Sequence, residues 1–376
     1  MKVFLREVTT RSDLKRFAAF TNEMYKGQPY YVPQILSMEV NTLDPKKNHA
    51  YEVCEGRYWL ALDETGRAVG RVAAIINHSL IEKLGRGICR FGWMDFIDDT
   101  DVSKALFDQV ASYAREHGLD TLVGPMGFLE FDACGIIVEG FDQLPTAYGK
   151  YNFPYYERHF LEYGFQKDVD FVEYRISIPE EAPDRYLRAA DVVAGRYALK
   201  EVCTSSIRKL IRDGYVDKLF KCMNEGYSKI GGFTALTPGQ CEDLKNQFVP
   251  NLTPDLVSVI ADENDDVVGF GVCMPSLAKA LQKADGHLFP FGFLHILHAV
   301  RHNDTIDTLL IAIRDDYSNK GVIAMIFDKI IRSIYNRGIR YIESTRELET
   351  NVNVQNLWGR YDRQITKRAR VYTRSI

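Results

Sequence analysis

The sequence predicts an α/β chain built of two similar halves, each a sheet flanked by helices. Three observations carry that expectation. At 376 residues the chain exceeds one ordinary core, so two domains are the starting assumption. Apolar residues make up 46% and charged residues 26%, a globular balance with enough apolar material for two cores. Strand-like runs and helical periodicity also recur in the same order in both halves.

In the first half, Lys2 to Thr9 reads as a strand, and Ser12-Asp13 caps a helix through Met24. A polar connection dotted with aromatics follows. RYWLALDETGRAVGRVAAIIN then gives a strand, a turn at Glu64-Thr65-Gly66 and a second strand. Cys89 to Ile97 is another strand, and Asp98-Asp99-Thr100-Asp101 caps a helix whose apolar face carries Leu106 and Val110. Asp120 to Pro125 reads as a strand, Gly127 to Gly149 as loop, Pro154 to Tyr163 as helix and Phe171 to Ile178 as a last strand. Pro179 to Pro183 has linker character, which divides the chain into domains 1–179 and 184–376.

The second half repeats the plan. A strand near Ala198 to Cys203 precedes helices after Ser206 and Pro238, and LVSVIADENDDVVGFGVCM is strand, turn and strand. Asp63-Glu64 falls on Asp262-Glu263 and Val69-Gly70 on Val268-Gly269; further on, Phe107-Asp108 falls on Phe327-Asp328 and Gly118 on Gly338. Between the two sets the offset grows by 21 residues, which places an insertion at Pro275 to about Asn303. An internal duplication explains the pattern.

Thr308 to Ile313 reads as a buried strand, followed by a polar break from Arg314 to Gly321. Ile323, Ile326, Phe327, Ile330, Ile331 and Ile334 then mark one helix face, closed at Gly338. A strand, a glycine loop and a helix make an anion site, because the first helical N–H groups lack internal partners. Gly321 allows close approach and Lys320 adds a positive charge. This layout resembles the acyl-CoA pyrophosphate loop of the GNAT superfamily of N-acyltransferases, with Gly321 at its first glycine. Ser318 stands where Arg or Gln is usual, and Ile323 replaces a small residue. A structural turn is the rival reading of the loop alone.

The element order of both halves resembles the same fold. It implies tandem GNAT-like domains, each a mixed, mostly antiparallel twisted sheet with flanking helices. The resemblance assigns acyl-CoA to Ile313, Ser318, Asn319, Lys320, Gly321, Val322, Ile323 and Ala324, and its pantetheine arm to Asn351 or Asn353. The family's proton-donating tyrosine falls at Trp358, so Tyr361 is the candidate acid. In the first half the corresponding loop holds Asp98, Asp99 and Asp101 and no glycine, carboxylates that would repel a diphosphate.

Glu343, Glu347 and Glu349 bracket the fifth strand of the second half. Amine acylation needs a proton acceptor, and Glu347 and Glu349 are the catalytic candidates beside a solvated-charge reading. His295, His298 and His302 share a helix face at metal-binding spacing, but their apolar neighbours favour an amphipathic helix, and no metal is expected. The aromatic run Tyr148 to Phe165 suits core and pocket lining. Lys367, Arg368, Arg370 and Arg374 read as a solvated strand face that could also meet the cofactor or an acyl carrier protein.

A net charge of -4 without a basic run argues against nucleic acid. Seven cysteines without Cys-x-x-Cys spacing read as reduced thiols in a cytoplasmic protein. The N-terminus reads as a strand and not a signal peptide, and no apolar run is long enough to span a bilayer. The expected function is direct transfer of an acyl group from acyl-CoA to a small-molecule amine, with a homodimer left open. The rival is a scaffold that binds a thioester or another ligand without turnover.

Overall fold

The structure is a computed structural model that describes residues 1–181, 184–359 and 361–376, and their side chains except those of 184–188 and Asn353. The first half runs β1 (Phe4–Glu7), α1 (Arg11–Met24), α2 (Leu36–Leu43), β2 (Cys54–Leu62), β3 (Ala68–Asn77) and α3 (His78–Leu84). It continues with β4 (Ile88–Phe96), α4 (Thr100–Glu116), β5 (Thr121–Gly124), β6 (Ile136–Glu139), α5 (Tyr156–Glu162) and β7 (Gln166–Ser177). The second half begins with α6 (Asp184–Tyr197), β8 (Lys200–Glu201), α7 (Ile207–Arg212), α8 (Tyr215–Tyr227), α9 (Pro238–Phe248), β9 (Val257–Ala261) and β10 (Val267–Pro275). After the insertion, α10 (Ala278–Ala284) and α11 (Gly292–Arg301), come β11 (Thr305–Ile313), α12 (Val322–Arg337), β12 (Tyr341–Glu343), β13 (Glu347–Leu348), α13 (Val352–Leu357) and β14 (Asp362–Ser375).

The two halves use the same local devices. In the β2–β3 turn, Asp63 Oδ1 accepts the backbone N–H groups of Thr65 and Arg67, at 2.9 and 3.0 Å. In the β9–β10 turn, Asp262 Oδ1 accepts those of Asn264 and Asp266, both at 3.0 Å. Past each turn a glycine lets a helix settle on the sheet. A Cβ on Gly70 would lie 2.9 Å from Leu106 and 3.0 Å from Val102 of α4; one on Gly269 would lie 2.8 Å from Val322 and 3.4 Å from Ile326 of α12.

All strands join one mixed sheet in the order β1-β2-β3-β4-β5-β14-β7-β12-β11-β10-β9-β8, with β6 and β13 attached to β14 and β7. Among the described residues, only β4–β5 and β11–β12 pair parallel. The last strand of each half lies against the parallel pair of the other. β14 pairs with β5 at Tyr372↔Gly124, and β7 pairs with β12 at Ile176↔Ile342. This exchange joins segments 1–179 and 184–376 through main-chain bonds. One core cluster likewise takes Phe17, Tyr58 and Phe128 from the first half and Met223, Val259 and Phe270 from the second.

Several elements differ from the sequence reading. The cap of α1 is Thr10, whose Oγ1 donates to Asp13 and accepts its N–H, so the helix starts earlier than Ser12-Asp13 implied. The polar connection contains α2. The stretch after the linker is α6, whose Ala190, Val193, Ala194 and Tyr197 pack into the α12 core. Lys367 is not on a solvated face: it is 1% exposed, and its Nζ donates to the carbonyls of Gly140 and Gln143.

Candidate functional site

The site begins where β11 and β12 part. They pair only from Thr305↔Tyr341 to Asp307↔Glu343, after which β11 runs on to Ile313. The chain beyond Glu343 stays along β7, where Glu347 pairs with Val172, while it leaves β11. In the wedge, the Thr345 N–H reaches Thr308 Oγ1 at 3.4 Å and the Tyr227 hydroxyl donates to the Ile311 carbonyl at 2.7 Å. A cavity of about 660 Å³ occupies this region and reaches into the first half. Leu309 and Ile311 of β11, Phe327 and Ile331 of α12, and Met126 and Phe131 of the first half line it. Its walls are largely apolar, the setting of a small-molecule site with a few placed polar groups.

Those polar groups are adjacent in sequence. Trp358 Nε1 donates to Glu347 Oε1 at 2.9 Å, while Glu347 Oε2 is buried without a partner among the described residues. Burial lifts the Glu347 carboxyl to about 6, against the opposing hydrogen bond from Trp358. Arg346 donates from Nε to Glu173 at 3.1 Å, and its Nη1 and Nη2 are buried with no partner among the described residues. Arg346, Glu347 and Glu173 all line the cavity.

Behind this wall lies a buried charged group. Asp307 is fully buried and Glu343 stands opposite it in register; burial raises both carboxyls to about 7, that of Glu343 despite its 3.0 Å ion pair with Arg175. Burial also lowers the Lys367 ammonium to about 8. Sequence reading did not single out Asp307 or Arg346 and placed Lys367 only on a basic strand face; the cross-strand pairing that assembles them is invisible to local periodicity.

The candidates fall in three places. Tyr361 and Asn351 line the cavity with Glu347, and the Asn351 side chain also caps α13 by accepting the Val354 N–H at 3.3 Å. Glu349 lies apart, in ion pairs with Lys167 at 2.6 Å and Arg368 at 3.2 Å, because β13 is too short to align it with Glu347. The side chain of Asn353 is outside the described residues.

The loop residues lie beside the cavity and not in its wall. Ile313 ends β11 opposite Gly269, and Gly321 adopts φ 78° just before α12, whose N-terminus no described side chain caps. Val322 and Ala324 are buried, Ile323 packs at the same core, and Asn319 is exposed. The Ser318 hydroxyl donates to the Asp315 carbonyl at 2.9 Å, and Lys320 Nζ sits 4.0 Å from the Tyr317 ring centre. Asp315 and Asp316 are ion-paired with Lys229 and Arg314, which leaves the helix end uncluttered by free carboxylates.

In the first half, the corresponding strands stay closed where those of the second half part. Beyond Arg90↔Val123 the chain closes on itself, with Met126 N–H on the Phe91 carbonyl at 2.7 Å. A Cβ on Gly92 would meet the Met126 oxygen at 2.2 Å. Asp99 accepts the N–H groups of Asp101 and Val102, so the α4 N-terminus is already satisfied. On α11 the rings of His298 and His302 stack at 4.8 Å, and no group of three metal-binding side chains converges among the described residues.

A single sheet of this order, with a glycine-seated helix in each half, has the tandem GNAT fold. A tandem GNAT protein from the clavulanic acid biosynthesis pathway superposes over 100% of this chain and 98% of its own, with a TM-score of 0.53 and 11% identity. The GCN5-related glucosamine N-acetyltransferase region of a fungal β-N-acetylglucosaminidase gives a TM-score of 0.55 at 11% identity, over 99% of this chain and 38% of that protein. In sequence the chain is similar to protein YghO of Escherichia coli K12, 27% identical across 99% of this chain and 95% of the relative. It is also 26% identical to the bacterial ceramide synthase of Caulobacter vibrioides, across 77% of this chain and 74% of that enzyme. No family model matches.

Proposed function

We propose that this chain transfers an acyl group from acyl-CoA to the amine of a substrate with a long apolar tail, forming an amide and a free thiol. The observation that carries the reading is the apolar cavity, with Arg346 and Glu347 as its unsatisfied polar pair. A cavity of this make-up suits hydrocarbon better than an acetyl group and a polar amine. The Caulobacter relative points the same way, since a ceramide is the amide of a long-chain amino alcohol and a fatty acid.

In this mechanism Glu347 Oε2 takes a proton from the substrate ammonium, and the freed nitrogen attacks the thioester carbonyl carbon. Arg346 stabilises the oxygen as it gains charge. The C–S bond then breaks: the nitrogen loses its second proton to solvent as the amide forms, and the departing sulfur takes a proton from the Tyr361 hydroxyl, which recovers it from solvent. The N-terminus of α12, opened by Gly321 and supported by Lys320, takes the diphosphate. The matched turns and glycines of the two halves support descent from an internal duplication.

The test is thiol release from acetyl-CoA and palmitoyl-CoA with a short or a long-chain amine. Release should be fastest with palmitoyl-CoA and the long-chain amine. Binding of palmitoyl-CoA without thiol release under any amine would leave a binding scaffold and overturn the reading.

A further inference from the structure

The insertion between β10 and β11 presents an apolar surface to solvent. Phe289 is 78% exposed and Phe291 68%, and Leu294 and Leu297 are exposed by half. Phe291, Leu294 and Leu297 follow one another at spacings of three along the start and outer face of α11, and the Phe289 ring lies 5.7 Å from that of Phe293. They therefore form one patch. Isolated surface hydrophobes are ordinary, but a contiguous patch of this kind marks a contact surface.

Charge says which contact. The chain as a whole carries 51 acidic and 47 basic residues, yet the insertion reverses that sign. Lys279, Lys283 and Arg301 are exposed on it with only Asp285 as a carboxylate, and four of the eight histidines lie there too. Aromatic and leucine side chains on an insertion that also exposes cations suit the interface of an anionic bilayer, where rings enter the headgroup layer and cations meet phosphates.

The opposite face of the same helix is tied to the cavity. Ile296, Ala299 and Val300 pack against a small core of Ala147, Met274 and Leu277, to which Tyr148, Leu252 and Leu309 of the cavity wall also pack. A bilayer touching the outer face would be one helix thickness from the apolar chamber.

We infer that the 276–303 insertion docks the protein onto anionic membrane surface, with Phe289, Phe291, Leu294 and Leu297 seated in the headgroup layer. No helix of the described residues is long and apolar enough to cross a membrane, so the contact is peripheral. The inference does not rest on the acyl-transfer reading, because docking is read without any substrate.

The experiment is flotation of the full chain with phosphatidylcholine vesicles, with and without phosphatidylglycerol. The wild type should float with phosphatidylglycerol vesicles. A Phe289→Ser, Phe291→Ser, Leu294→Ser variant should lose at least tenfold of that binding while its thermal melt is unchanged. A Lys279→Gln, Lys283→Gln, Arg301→Gln variant should lose the preference for phosphatidylglycerol. A wild type that stays unbound with both vesicles overturns the inference. So does loss of a solution dimer in the apolar variant without any flotation of the wild type, which would assign the patch to a second copy.

Discussion

The indole N–H of Trp358 holds Glu347 Oε1 at 2.9 Å and leaves Oε2 of the same carboxylate buried without a partner among the described residues. An indole donates a hydrogen bond but has no proton to release near neutral pH. In the proposed mechanism, the residue that stands where the GNAT resemblance expects an acid therefore orients the base instead. Tyr361, whose ring lies 6.5 Å from that of Trp358, is the hydroxyl beside it.

With Glu347 as proton acceptor, activity should rise with pH through an apparent pKa of about 6, since the ionised form is the active one. Trp358 lowers that carboxyl, so Trp358→Phe should move the acid limb of the profile to higher pH. A pH–rate profile of kcat/KM on both proteins checks the direction. An unmoved limb would remove Glu347 from the mechanism.

Gly321 sits at φ 78°, a left-handed conformation that costs other residues about 1–2 kcal/mol. A Cβ there would also stand 3.0 Å from Val193 of α6. Gly321→Ala should lower the melting temperature by a few degrees and weaken CoA binding at least tenfold, measured by calorimetry. Loss of stability with full CoA binding would place the diphosphate elsewhere.

Glu173 is 3% exposed and its ion-pair partner is Arg346. Removing one member of a buried pair leaves an uncompensated charge, so Arg346→Met should cost about 3–5 kcal/mol in urea unfolding. The double variant with Glu173→Gln should recover part of that loss. Additive losses would show that the pair is not coupled.

Asp307 is raised from an ordinary 3.8 to about 7, so the folded state binds a proton more tightly than the unfolded one. Its contribution to stability is thus present at low pH and lost as pH rises through about 7. Asp307→Asn should gain stability relative to wild type between pH 4 and pH 8. Denaturant midpoints across that range measure the trend, and a constant difference would contradict it.

Much of the architecture was legible because it is local. Gly70 and Gly269, with Val102 and Val322 beneath them, keep the spacing read in the sequence, and the growing offset located α10 and α11. Ala190, Val193, Ala194 and Tyr197 of α6 carry helical spacing, but Pro179 and Pro183 just before them read as a linker and mask it. The strand exchange had no local signal: β7 and β14 read as the last strands of their own halves, and only register shows each beside the other's parallel pair. The site suffered for the same reason. Glu347 could be named from its place after a strand, whereas Arg346 with Glu173, and Asp307 with Glu343, become partners only when separate strands pair.

The most direct measurement is mass-spectrometric detection of the amide after incubation with palmitoyl-CoA and a long-chain amine, for wild type and Glu347→Gln. The wild type should give the amide and one equivalent of free thiol, and the variant should be slower by a factor of about 10²–10⁴ while still binding palmitoyl-CoA. Thiol release without amide, or equal amide formation by the variant, would contradict N-acyl transfer at this carboxylate.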